Sequence, residues 1–176
     1  MILELLLPFI RKFRGHLWHD TIELIIPPLP RPVIVEYYAS PDKPAIIFAL
    51  YPGNAHEYDP ATGTVGPEIR TMDAGFYHYH EGWMKRHVDP LVESFLSERP
   101  YQFVGYLKPG KPHVLEMYNR TDKFIWFDVT IWVAEFEREQ WIYNGRTYSL
   151  EELLDMYLSK IADLIMGWPG ERPWRT

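Results

Sequence analysis

The run Phe124–Phe136 constrains the chain more than any other segment. Ile125, Phe127, Val129, Ile131 and Val133 alternate onto one face of a strand, and Phe124, Trp126, Thr130, Trp132 and Phe136 onto the other. Both faces are therefore rich in apolar or aromatic side chains. Such a strand is either central, with layers on both sides, or it turns one face to a partner subunit. Asp128 stands among those aromatics and needs a partner. A chain of 176 residues has the size of one domain and enough apolar material to bury such a strand.

The flanking pattern is of mixed type. Ile2, Leu3, Leu6, Leu7, Ile10 and Phe13 recur at helical spacing, which predicts a short helix over 2–14 ended at Gly15, with Pro8 at a kink or the segment partly extended. Glu4 interrupts the apolar run and the charges Arg11, Lys12 and Arg14 follow it, the reverse of a secretory leader, and it is too short to span a bilayer. His16–Ile26 is mixed, with His16 and His19 read as polar residues at a helix end. Pro27, Pro28, Pro30 and Pro32 then form a stiff connector. Strands are expected at Val33–Ala39 and Ala45–Tyr51, paired as a hairpin across Ser40–Pro44, and then a long irregular loop over 52–67.

A third strand is expected near 74–80. The stripe Trp83, Met84, His87, Val88, Leu91, Val92, Phe95 and Leu96 predicts a helix over about 83–97, whose strongest part starts at Pro90 if Asp89 is its cap. Tyr101–Leu107 and His113–Tyr118 read as strands joined by Pro109–Pro112. Trp141–Tyr143 and Arg146–Tyr148 flank Asn144-Gly145, the signature of a type I′ hairpin. Ser149 with Glu152 forms a capping box opening a helix over 149–166, stopped by Gly167 and Pro169. The expected fold is α+β: a single domain over 1–166, with an antiparallel-rich sheet packed by the helices near 83–97 and 149–166 and by the short N-terminal helix. Residues 167–176 form a tail rich in Trp, Pro and Arg, expected to dock on this domain or a neighbour.

Composition excludes several chemistries. With 18 Lys and Arg against 24 Asp and Glu, the net charge of −6 leaves no footprint for phosphate-backbone binding. The absence of cysteine removes disulfides, thiolate metal sites and a cysteine nucleophile. No G-x-S-x-G, H-E-x-x-H, phosphate loop or G-x-G-x-x-G occurs, and Glu135, Glu137 and Glu139 read as a solvated strand end. Histidine is the one dense chemical type. His78 and His80 share a strand face at a spacing that chelates zinc or iron if a third ligand such as His87, His56, Asp59 or Glu81 arrives. They match the H-x-H core of the cupin metal site, although Glu81 follows at once and Pro52–His56 stands in the wrong order. This gives one reading: a small metal- or ligand-binding domain with an aromatic pocket around His78, His80 and the 52–67 loop.

The other reading is a structural or assembly subunit, because aromatics make up 16% of the chain and exceed what one domain needs to bury. Trp126, Trp132, Trp168 and Trp174 are the expected interface residues. The order of elements resembles the tail-terminator proteins of tailed bacteriophages, in the strand opened by Pro32-Val33-Ile34-Val35, the Trp83-Met84 to Leu96 helix and the strand Phe124–Phe136. The resemblance covers about residues 1–137, and the region from Trp141 onward departs from the small members of that family. It implies a homo-oligomeric ring with no cofactor and no catalytic residue, meeting copies of itself and neighbouring structural proteins in a virion. It implies neither sequence-specific nucleic-acid binding nor a membrane partner, and an acidic chain suits a channel through which DNA slides.

Overall fold

A computed structural model describes residues 2–53, 55–69, 74–80, 86–88 and 101–161. The chain opens with helix α1 (Ile2–Lys12), which continues through Pro8. Arg14 takes the left-handed conformation at its end, at φ 56°. Gly15 follows because space requires it: a Cβ there would stand 2.8 Å from the Phe136 ring. Strands β1 (His16–Ile26), β2 (Val33–Tyr37), β3 (Ala45–Pro52), β4 (His56–Asp59), β5 (Thr64–Glu68), β6 (Ala74–His80), β7 (Arg86–Val88), β8 (Tyr101–Leu107), β9 (His113–Asn119), β10 (Phe124–Glu135), β11 (Gln140–Tyr143) and β12 (Arg146–Ser149) lead to helix α2 (Leu150–Ile161).

β10 is the spine of a six-stranded antiparallel sheet. β1 pairs with it from His16 opposite Glu135 to Ile26 opposite Ile125. Its other edge is shared, with β3 alongside Val129–Glu135 and β4 alongside Phe124–Trp126. β3 and β4 thus run as one line along β10, with β8 outside β3 and β5 outside β4. A second, four-stranded sheet has the order β2-β9-β6-β7. The face of β10 that carries Ile125, Phe127, Val129, Ile131 and Val133 packs with Leu115 and Met117 of β9 between the two sheets. On the opposite face of the large sheet, Leu6, Phe9 and Ile10 of α1 and Leu150, Leu153, Leu154 and Leu158 of α2 cover Ile46 and Phe48 of β3, Val104 and Tyr106 of β8, and Ala134 and Phe136. The arrangement is α+β in three layers. A bulge at Phe48, skipped by the registers to both neighbouring strands, turns Phe48 and Ala49 together toward the helices.

At two places consecutive strands fall in different sheets, which overturns two expected hairpins. β2 and β9 lie in the small sheet while β3 and β8 lie in the large one. Both connections cross at one rim of the sandwich, where Gly110 N–H donates to Ser40 O at 3.1 Å. Gly110 sits at φ 69°, and a Cβ there would meet Pro41 O at 3.1 Å. At the other rim, β1→β2 and β9→β10 also cross between sheets. There Leu29 N–H donates to Asn119 O at 2.9 Å, and the Asn119 side chain donates to Ile26 O and Lys123 O.

Three further expectations are corrected. His16–Ile26 is a strand, so His16 and His19 do not end a helix. The 52–67 loop contains the hairpin β4–β5, whose turn closes by Gly63 N–H to Asp59 O at 2.8 Å. Within the helix expected over 83–97, Arg86–Val88 is a strand paired with β6, and 83–85 and 89–97 lie outside the described residues. The I′ hairpin stands, with Asn144 and Gly145 both at positive φ. So does the cap of α2, where Glu152 N–H donates to Ser149 Oγ at 3.1 Å. Residues 162–166 and the tail, with Trp168 and Trp174, lie outside the described residues.

Candidate interaction face on the large sheet

The helical layer covers only part of the outer face of the large sheet. From its margin outward, the register lines up side chains from four strands. Along β1 these are Leu17, His19, Thr21, Glu23 and Ile25. Opposite them on β10 stand Ala134, Trp132, Thr130, Asp128 and Trp126. His56 and Tyr58 of β4 continue the rows from Trp126 and Phe124, and Tyr51 of β3 continues the row from Thr130. Ile25 is 42% exposed and Tyr51 38%. The aromatic surface is ordered: the His19 and Trp132 rings lie 4.6 Å apart and His56 meets Trp126 edge-on at 5.7 Å. His56 Nδ1 is 3.1 Å from Gly66 O, and the Thr21 and Thr130 hydroxyls are hydrogen-bonded at 3.1 Å.

Two acidic groups stand out on this face. Glu23 lies directly across from Asp128, a like-charge cross-strand pair that disfavours the fold unless a cation reaches it. The Asp128 carboxylate also fills the space beside Gly53, where a Cβ would stand 1.7 Å from Oδ1. A side chain at 53 would force the Asp128 carboxylate aside. Among the described residues neither carboxylate has an ionic partner; elsewhere Glu57 pairs with Lys123 at 2.5 Å, and Glu135 and Glu137 pair with Lys43 at 3.8 and 3.3 Å.

The histidines are distributed differently from the expected cluster. His80 is 2% exposed, with Nδ1 2.8 Å from Pro112 O and Nε2 3.3 Å from Lys108 N. The Nδ1–H donates to the carbonyl and Nε2 accepts from the amide, so both nitrogens serve the β8–β9 crossing. Its ring lies 6.5 Å from that of His113, the residue opposite it on β9. His78 pairs with Leu115 and Arg86, and His87 pairs with Tyr77, one residue out of phase with His78 and His80. The backbone register therefore does not bring all three to one face. Among the described residues no group of three or more His, Asp or Glu is arranged to hold a metal ion.

Two concavities are present, the first sharing Tyr58 and Phe124 with this face. A cleft of about 550 Å³ at the β4–β5 hairpin is lined by Glu57, Tyr58, Asp59, Thr64, Lys123 and Phe124. One of about 270 Å³ between the helices is lined by Phe9, Phe13, Leu153 and Tyr157, with Lys12 and Lys160 among its polar residues. At the latter, Lys12 Nζ donates to Tyr143 Oη at 3.0 Å, and this ammonium holds the phenol below its ordinary range. Among the described residues no helix is long and apolar enough to cross a membrane. No protein-family model matches the chain, and no curated protein matches its sequence.

Trp126 and Trp132 both lie on the outer face of β10, as alternation dictates. The β1 residues beside them did not emerge from the sequence. Their signal was the alternation Leu17, His19, Thr21, Glu23, Ile25 against Trp18, Ile22, Leu24, Ile26, masked by the charged Asp20.

Proposed function

We propose that this protein is a structural subunit that assembles with copies of itself and with neighbouring structural proteins. In the form suggested by its resemblance to tail terminators, it is a virion component built into a homo-oligomeric ring, with neither cofactor nor catalysis. The observation that carries this reading is the outer face of the large sheet beyond α1 and α2, where half-buried Trp126 and Tyr58 stand with the exposed Ile25 and Tyr51, and Trp132, packed against the helical cluster, marks the margin. Aromatic side chains with polar neighbours are the composition of an association surface, since they present large, rigid area at little entropic cost. The net charge of −6 favours a wall past which DNA moves without adhering.

Native mass spectrometry of the full-length, untagged chain over a concentration series tests the proposal. A defined oligomer carrying no small molecule is expected. A monomer at every concentration, or a metal-bearing species that does not associate, overturns it.

A further inference from the structure

β1 is an eleven-residue strand paired along its whole length with β10. Among the described residues no strand pairs with its other edge. A long free edge exposes a row of backbone donors and acceptors, and proteins ordinarily blunt or cover such a row. Here the outward residues carry instructions for a specific cover. From Leu17 through His19, Thr21 and Glu23 to Ile25 the row runs apolar, basic, hydroxyl, acidic, apolar, and it is complementary to its own reverse. His19, Thr21, Glu23 and Ile25 are all exposed.

We infer that β1 pairs antiparallel with β1 of a second copy about a two-fold axis through Thr21, joining the two large sheets into one; this rests on the self-assembly reading above. In that register Thr21 meets Thr21, His19 meets Glu23 of the second copy, Glu23 meets its His19, and Leu17 meets its Ile25. Residues opposite one another must lie on the same face of a continuous sheet, so the register can shift only in steps of two. One step puts Leu17 across from Glu23, and the opposite step puts His19 across from Ile25; neither retains the His19–Glu23 pair. The imidazole of the second copy also arrives beside the Glu23–Asp128 carboxylates, which have no cation among the described residues of their own chain. A contact of this kind is isologous, so any ring that contains it holds an even number of subunits.

Charge exchange on the full-length protein, read by sedimentation velocity over a concentration series, tests the pairing. Glu23→Lys places an ammonium across from His19 of the second copy but faces Asp128 within its own chain, so the fold is retained while the two-fold contact weakens at least tenfold. His19→Glu sets two carboxylates against each other and weakens it similarly. An equimolar mixture of the two single variants regains association, since the mixed pair joins the introduced ammonium to the introduced carboxylate and keeps one native His19–Glu23 contact, and the double variant regains it alone. Wild-type association in Glu23→Lys, or no recovery in the mixture, overturns the β1 pairing and leaves self-assembly standing. A wild-type chain that stays monomeric overturns both.

Discussion

Asn119 is fully buried, and its side chain holds the crossings at one rim of the sandwich together. Its amide donates to Ile26 O at 3.2 Å and Lys123 O at 2.6 Å, and its carbonyl accepts from the Thr121 N–H at 2.9 Å and the Thr121 hydroxyl at 2.6 Å. All of its hydrogen-bonding capacity is used. Asn119→Ala leaves two carbonyls without these donors, and the expected loss is about 2–4 kcal/mol, read as a lower urea midpoint at unchanged slope. Tyr37 presents the opposite case. Its hydroxyl is buried without a hydrogen-bond partner among the described residues, and burial, then Asp20 and Glu135, push the phenol up. The folded state keeps the proton more tightly than the unfolded chain. Stability is therefore intact below the unfolded phenol pKa of about 10 and falls as pH rises beyond it. Tyr37→Phe is expected to raise the melting temperature at neutral pH and to flatten this alkaline loss, measured by thermal melts on either side of that pH.

At the scale of elements, the join between α1 and β1 depends on the absence of a side chain at Gly15. Its Cβ would lie 2.8 Å from the Phe136 ring and 2.9 Å from Ile10 Cγ2, and Phe136 is wedged against Phe9. Gly15→Ala forces the ring or the helix aside and is expected to cost about 1–3 kcal/mol, the ordinary penalty of overpacking, checked by chemical denaturation. Gly15 was legible in the sequence as a helix stop, and the structure adds the packing reason. What was local was generally legible: the two faces of β10, the Asn144-Gly145 turn, the Ser149 cap. Pairing was not, because alternation states which residues face a core without stating which of two sheets a strand joins. β2 and β3 read as a hairpin for that reason, as did β8 and β9. β4 and β5 escaped notice because they are short and lie in a stretch punctuated by Pro and Gly, two of which fall within β5 itself. Trp126 and Trp132 could be placed on one face from β10 alone, but the His19–Glu23 row needed the β1–β10 register. The His78/His80 pair shows the reverse limit: spacing on a strand does not reveal that the nitrogens of His80 are engaged by backbone at a sheet crossing.

For the whole molecule, position decides which exposed apolar groups matter. Ile142 is 81% exposed, but it stands on the two-stranded hairpin β11–β12, which pairs with neither the large nor the small sheet. Trp126 is only half-buried, yet it joins Ile25 on one side and His56 on the other in an unbroken row across three strands. Single exposed aliphatics are ordinary, whereas contiguous apolar area marks association. Trp126→Glu is therefore expected to raise the concentration needed for assembly at least tenfold, with an unchanged far-ultraviolet circular dichroism spectrum. Ile142→Glu is expected to leave assembly where it is, although it removes the more exposed side chain. Light scattering of both variants against the wild-type chain separates the alternatives. If Ile142→Glu disperses the oligomer and Trp126→Glu does not, association runs through the C-terminal hairpin, and the open face of the large sheet is not where copies meet.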